Sequence, residues 1–115
     1  MNIIFGNSAD LVTKYTKLEL DTIYVNATGE VVTAWGIIEN IPLEEFPRVE
    51  ANIKNHEMLL KQYRLRNWEY CVTAINALIG AWNGELDTFY TELMNRIENL
   101  KQNPPGPEWN GMLVK

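Results

Sequence analysis

Apolar residues change their spacing part-way along this chain. Residues 2–5, NIIF, are a short β-prone run stopped by Gly6. TKLELDTIYV (16–25) and EVVTAWGII (30–38) are rich in β-branched and aromatic residues, which predicts two strands. Between them NATGE offers Asn26 and Gly29, both tolerant of positive φ, so the strands read as a hairpin. The first strand carries Leu18, Leu20 and Tyr24 on one side and Ile23 and Val25 on the other. A hairpin that is apolar on both sides needs cover from helices, another strand or a second subunit. Asn7 and Ser8 are possible caps for one or two helical turns over ADLVTKY.

Beyond Pro42 and Pro47 the spacing becomes helical. Val49, Ile53, His56, Leu60 and Tyr63 predict a helix from about Val49 to Arg66, supported by the pairs Glu50–Lys54 and Glu57–Lys61. Asn67 caps a second helix over WEYCVTAINALIGAW (68–82). Its wide stripe, from Trp68 and Cys71 to Ile79 and Trp82, faces one neighbour. Tyr70, Ala74, Ala77 and Ala81 make a second, small-residue face, which predicts a helix between two neighbours. Asn83 and Gly84 end it. A third helix, Leu86 to about Lys101, aligns Leu86, Phe89, Tyr90, Leu93, Ile97 and Leu100. Pro104 and Pro105 forbid its continuation.

The segment NPPGPEWNGMLVK (103–115) then holds a tryptophan where a dispensable tail needs none. The prolines stiffen it, so docking costs little chain entropy. We expect it to fold back on the helices with Trp109 as anchor. The whole reads as a single α+β domain, 1–115. Residues 1–42 are β-rich, a hairpin plus a short strand; 48–101 supply three helices packed on it; 102–115 form an ordered tail.

Charge narrows the partners. Ten basic and 15 acidic side chains leave −5 in 115 residues, which disfavours nucleic acid and anionic membranes. Arg48, Lys54, Lys61, Arg64 and Arg66 make the first helix the least acidic region, read as a solvated face. Cys71 is the one cysteine, so no disulfide forms within the chain. No signal peptide or membrane span is evident, and a reducing cytoplasm is the expected compartment.

Three resemblances bear on fold. LLKQYRLRNWEYCVTAINAL (59–78) resembles a single tetratricopeptide-type helical hairpin, with Tyr63 as the first helix's aromatic and Cys71 and Ala77 or Leu78 at the small positions. Leu60 departs from the usual glycine, and without a second copy no solenoid is implied. LDTFYTELMNRIENLKQNPPGPEWNGMLVK (86–115) resembles the C-terminal extension of some bacterial nucleotide cyclases through Pro104, Pro105, Trp109, Gly111 and Lys115, with Asn110 replacing an acid. That implies shared helical packing and no cyclase activity. KYTKLELDT and NWEYC…WNGELDTFY are similar to stretches of small uncharacterised proteins of marine T4-like phages, which brings no activity with it.

Candidate chemistry is sparse. His56, the one histidine, is a general base or metal ligand on a functional reading, and on the simpler one a half-buried ring bonded to a neighbour. Cys71 lies mid-helix among core residues, where a thiol acts as a small apolar group. Glu19 and Asp21 alternate along a strand; the pair could share a proton or bind Mg²⁺, or merely solvate a face. An enzyme would have to join His56 to Glu19 or Asp21. No phosphate-binding loop, zinc spacing or nucleophile elbow is present, and neither cofactor nor metal is expected. The leading expectation is a non-enzymatic protein acting by association, most simply a homodimer, with Trp35, Ile37 and Val25 at the contact. The alternative is a small-ligand or regulatory pocket between sheet and helices lined by Tyr24, Trp35, His56 and Tyr63.

Overall fold

The computed structural model describes residues 2–6, 15–39 and 41–114. The turns expected over ADLVTKY, with Asn7 and Ser8 as caps, fall outside the described residues except for Tyr15, which lies in a bend. Strands β1 (Asn2–Phe5), β2 (Thr16–Val25), β3 (Glu30–Ile38) and β4 (Leu113–Val114) form one sheet in the order β1-β3-β2-β4. Helices α1 (Val49–Arg64), α2 (Trp68–Leu78) and α3 (Asp87–Gln102) supply the second layer, so the fold is α+β.

The β2–β3 ladder is antiparallel, and Gly29 takes the positive φ of the hairpin loop without help from Asn26. The ladder contains a bulge. Glu19 opposes Trp35 and Asp21 opposes Ala34, leaving Leu20 as the extra residue. One inserted residue reverses the inward–outward alternation beyond it. Leu18 and Leu20 are both buried, and beyond them Ile23 packs against the core while Tyr24 turns out and is exposed. The sequence predicts these last two on the opposite faces.

The sheet is also larger than a hairpin plus a short strand. Leu113 and Val114 lie parallel to Ile23 and Tyr24 and close the β2 edge. Two residues carry no legible periodicity, so this strand has no signature in the sequence. Helical cover comes from His56, Leu59, Leu60 and Tyr63 of α1, Cys71, Ile75 and Leu78 of α2, and Phe89, Tyr90, Leu93 and Ile97 of α3, all buried. These meet Leu18, Leu20, Ala34 and Ile38 in one cluster.

Two helix ends differ from expectation. α1 stops at Arg64 in a pair of closing bonds, Arg66 N–H to the Tyr63 carbonyl (3.1 Å) and Asn67 N–H to the Gln62 carbonyl (3.0 Å). This is the pattern that normally places glycine where Arg66 stands, and Arg66 accordingly has φ 64°. Asn67 then caps α2, its side chain accepting from the Tyr70 N–H at 3.4 Å. α2 ends at Leu78, four residues before Trp82. Gly80 (φ 88°), Trp82 (φ 58°) and Asn83 (φ 56°) are left-handed and turn the chain so that Trp82 is buried. The second face expected of α2 is only partly covered: Ala74 and Ala81 pack against the core, while Tyr70 is 40 % exposed and Ala77 is exposed.

Candidate functional site

His56 is fully buried, and both ring nitrogens are engaged. Nε2 lies 2.5 Å from the Glu19 carbonyl, which only accepts, so Nε2 carries the hydrogen. Nδ1 must then accept from the Tyr90 hydroxyl at 2.9 Å, and that oxygen accepts from the Trp82 indole N–H at 3.2 Å. The bulge presents the Glu19 carbonyl, α1 the imidazole, α3 the phenol, and the left-handed turn after α2 the indole. Every link satisfies a group that burial would otherwise leave unpaired. Burial holds the imidazole below its ordinary pKa against the raising effect of the Glu19 carbonyl, and raises that of Tyr90. The Cys71 thiol is pushed up to about 11 by burial and points to the Leu59 carbonyl at 3.8 Å.

Glu19 and Asp21 do not converge. Glu19 accepts from Arg64 Nη2 at 2.6 Å and Asp21 from Arg96 Nη1 at 2.8 Å. Burial would lower the Arg96 pKa, but its bonds to Asp21 and Tyr63 leave it raised overall. The His56 contact is to the Glu19 main chain, so the carboxylates do not face the imidazole as an acid–base pair would require. Among the described residues no group of three or more His, Cys, Asp or Glu side chains could hold a metal ion.

The four residues expected to line one pocket are dispersed. His56 lies in the core. Tyr63 packs edge-on to Trp68 at 5.9 Å and to Trp109 at 5.3 Å. Trp35, next to core-facing Ala34, stands on the sheet's other face with Lys17 Nζ 5.9 Å from its ring centre. Tyr24 lines a cleft beside residues 105–114. The expected contact set fares differently again. Ile37 shares the Trp35 face but is only 3 % exposed, and Val25, at the hairpin end, is half-buried. A buried Ile37 leaves a partner nothing to cover.

Two other places gather exposed or convergent groups. The first is a cleft of about 290 Å³ between the sheet and the start of α3, where Ile3, Phe5, Ile23 and Ala34 face Phe89 and Leu113. Ile3 and Phe5 belong to β1, the terminal strand among the described residues, and are 49 % and 53 % exposed. The second is the α1–α2 corner. There Trp109 packs on Tyr63 and Trp68, the guanidinium carbon of Arg66 lies 5.4 Å from its ring centre, and Arg66 donates to the Pro105, Gly106 and Trp109 carbonyls. The sequence places Phe5 in a β-prone run and Phe89 on a helix's apolar face, but only the topology unites them, and Arg66 reads from sequence as part of a solvated face. The signal for Arg66 was its place between two helical patterns where a glycine would be usual.

No described helix is long and apolar enough to cross a membrane. No protein-family model, curated protein or solved structure matches the chain.

Proposed function

We infer that the chain is a non-enzymatic association module that pairs with a second copy of itself through β1. One observation carries this reading: Ile3 and Phe5, half-exposed, stand on the strand that is terminal in the sheet among the described residues, above a mostly apolar cleft. An edge strand offers unpaired main-chain groups to another strand, and natural sheets usually protect it with charge, proline or a bulge. The run NIIF has none of these. Antiparallel pairing of β1 with its symmetry mate joins two sheets about a two-fold axis. The engagement of His56, Tyr90 and Cys71 in internal bonds supports a structural use of the groups an enzyme would otherwise draw on. Light scattering at micromolar concentration should give twice the chain mass, and Phe5→Lys should give single copies with unchanged helical signal. A wild-type chain that stays monomeric overturns the reading.

The cleft itself favours a second reading, a small apolar ligand lodged between sheet and α3, since its volume is near the lower limit of ligand sites at about 300 Å³. Its lining includes Ile3, Phe5, Ile23 and Phe89, together with the polar Asp21, Thr88 and Glu92, in place of Tyr24, Trp35, His56 and Tyr63. A monomer that binds an apolar fluorescent probe saturably, and loses it in Phe89→Asp, would favour the ligand over the dimer.

A further inference from the structure

We propose that the α1–α2 corner is a recognition groove for proline-rich peptides bearing a tryptophan, and that residues 104–109 are its ligand in cis. The groove reads two features. Tyr63 and Trp68 meet the Trp109 ring edge-on, at 5.3 Å and 5.7 Å between centroids, and the Arg66 guanidinium lies over it. Arg66 also holds the main chain. Nη1 donates to the Pro105 carbonyl at 3.2 Å, and Nη2 to the carbonyls of Gly106 and, at 3.5 Å, Trp109. The segment adds a turn of its own, Trp109 N–H to the Gly106 carbonyl at 3.1 Å. Recognition therefore needs an indole and carbonyls placed by a proline–glycine bend, chemistry that an unattached peptide supplies equally well.

The backbone of Arg66 points to the side chain's purpose. A left-handed residue with a Cβ is strained where glycine is not. The two closing bonds of α1 are main-chain bonds that glycine would form as well. What glycine lacks is the guanidinium. A strained residue whose side chain gathers three carbonyls of another segment belongs to a binding corner more than to helix termination.

Tethering sets the affinity. An attached segment acts at a local concentration of roughly millimolar or more, so a free peptide competes poorly until the groove is vacated. The test uses the full chain with Trp109→Ala and a fluorescein-labelled peptide of residues 103–114, followed by polarisation. Saturable binding is expected, at least roughly tenfold tighter than to the wild-type chain. The peptide with its own tryptophan changed to alanine should not bind. Adding Arg66→Gly to the Trp109→Ala chain should weaken binding by roughly tenfold or more without lowering its melting temperature, because glycine suits that backbone. Equal binding by wild-type and Trp109→Ala chains, binding indifferent to Arg66→Gly, or none up to about 1 mM would each overturn the proposal. Should Trp109→Ala fail to fold, Gly111→Ala vacates the groove differently. A Cβ there lies 2.9 Å from Arg64 Cγ at φ +87°, dislodging the segment's far end while leaving Tyr63, Arg66 and Trp68 intact. Peptide binding by that chain supports the groove, and its absence refutes it.

Discussion

At the scale of single residues the decisive group is His56. Its place on the apolar stripe of α1 was legible from spacing, and so was a hydrogen-bonded neighbour. Its partners were not, because Glu19 lies 37 residues before it and Tyr90 34 residues after it. Only the packing of three elements makes them neighbours. The consequence is a pH dependence whose sign follows from the lowered pKa. The folded state prefers the neutral ring, while the unfolded chain takes up a proton near the ordinary value of about 6.5. The stability from this preference is complete above that value. It is lost as pH falls from there to the folded-state pKa, with a slope of at most about 1.4 kcal/mol per pH unit. Protonation also forces a hydrogen onto Nδ1, where the Tyr90 hydroxyl now donates. Urea unfolding between pH 8 and 5 should show a plateau and then a decline, and a His56→Gln chain should lack the decline above pH 5.

At the scale of elements the helices were the readable part, because a period of 3.6 residues accumulates over four turns. The strands were readable as strands but not as faces. The Leu20 bulge exchanges Ile23 and Tyr24, and no local propensity announces an extra residue in a run already apolar on both sides. The end of α2 shows a similar limit. Helical spacing runs on through Ile79 and Trp82, but Gly80 turns left-handed and Trp82 reaches the core from a different direction. Tertiary demand prevails here: the indole N–H needs the Tyr90 oxygen, and two non-glycine residues accept left-handed φ to deliver it. Gly80 permits the change of direction at low cost. A Cβ at that position meets nothing within 4 Å, so Gly80→Ala isolates backbone strain from packing. A loss of about 1–2 kcal/mol is expected in chemical denaturation. A neutral result would mean that the turn is held without the left-handed residue.

At the scale of the whole molecule the sheet depends on chain from both ends of the sequence. The β2 edge carries Leu113 and Val114 where Ile23 and Tyr24 lie, and the same segment covers the outer side of Tyr63 with Trp109. Tyr63 in turn borders Arg96, whose guanidinium bonds Asp21 just after the bulge. One continuous set of contacts thus runs from the tail through α1 and α3 to the strand that the hairpin needs covered. Removing the tail should therefore weaken more than its own contacts. A chain ending at Asn103 loses the indole packing, the three carbonyls on Arg66 and the parallel ladder together. It leaves Arg66 in a left-handed conformation with no carbonyls to hold. Partial burial of one tryptophan and loss of a charge-assisted cluster amount to about 3 kcal/mol. At about 4 °C per kcal/mol for a domain of this size, the melting midpoint should fall by roughly 10 °C. Because helices and sheet share one core cluster, the melt should remain a single transition seen alike in far-UV circular dichroism and in tryptophan fluorescence. A midpoint unchanged by the cut would separate the tail from the fold. Two resolved transitions would instead divide the β ribbon from the helices that cover Leu18, Leu20, Ala34 and Ile38.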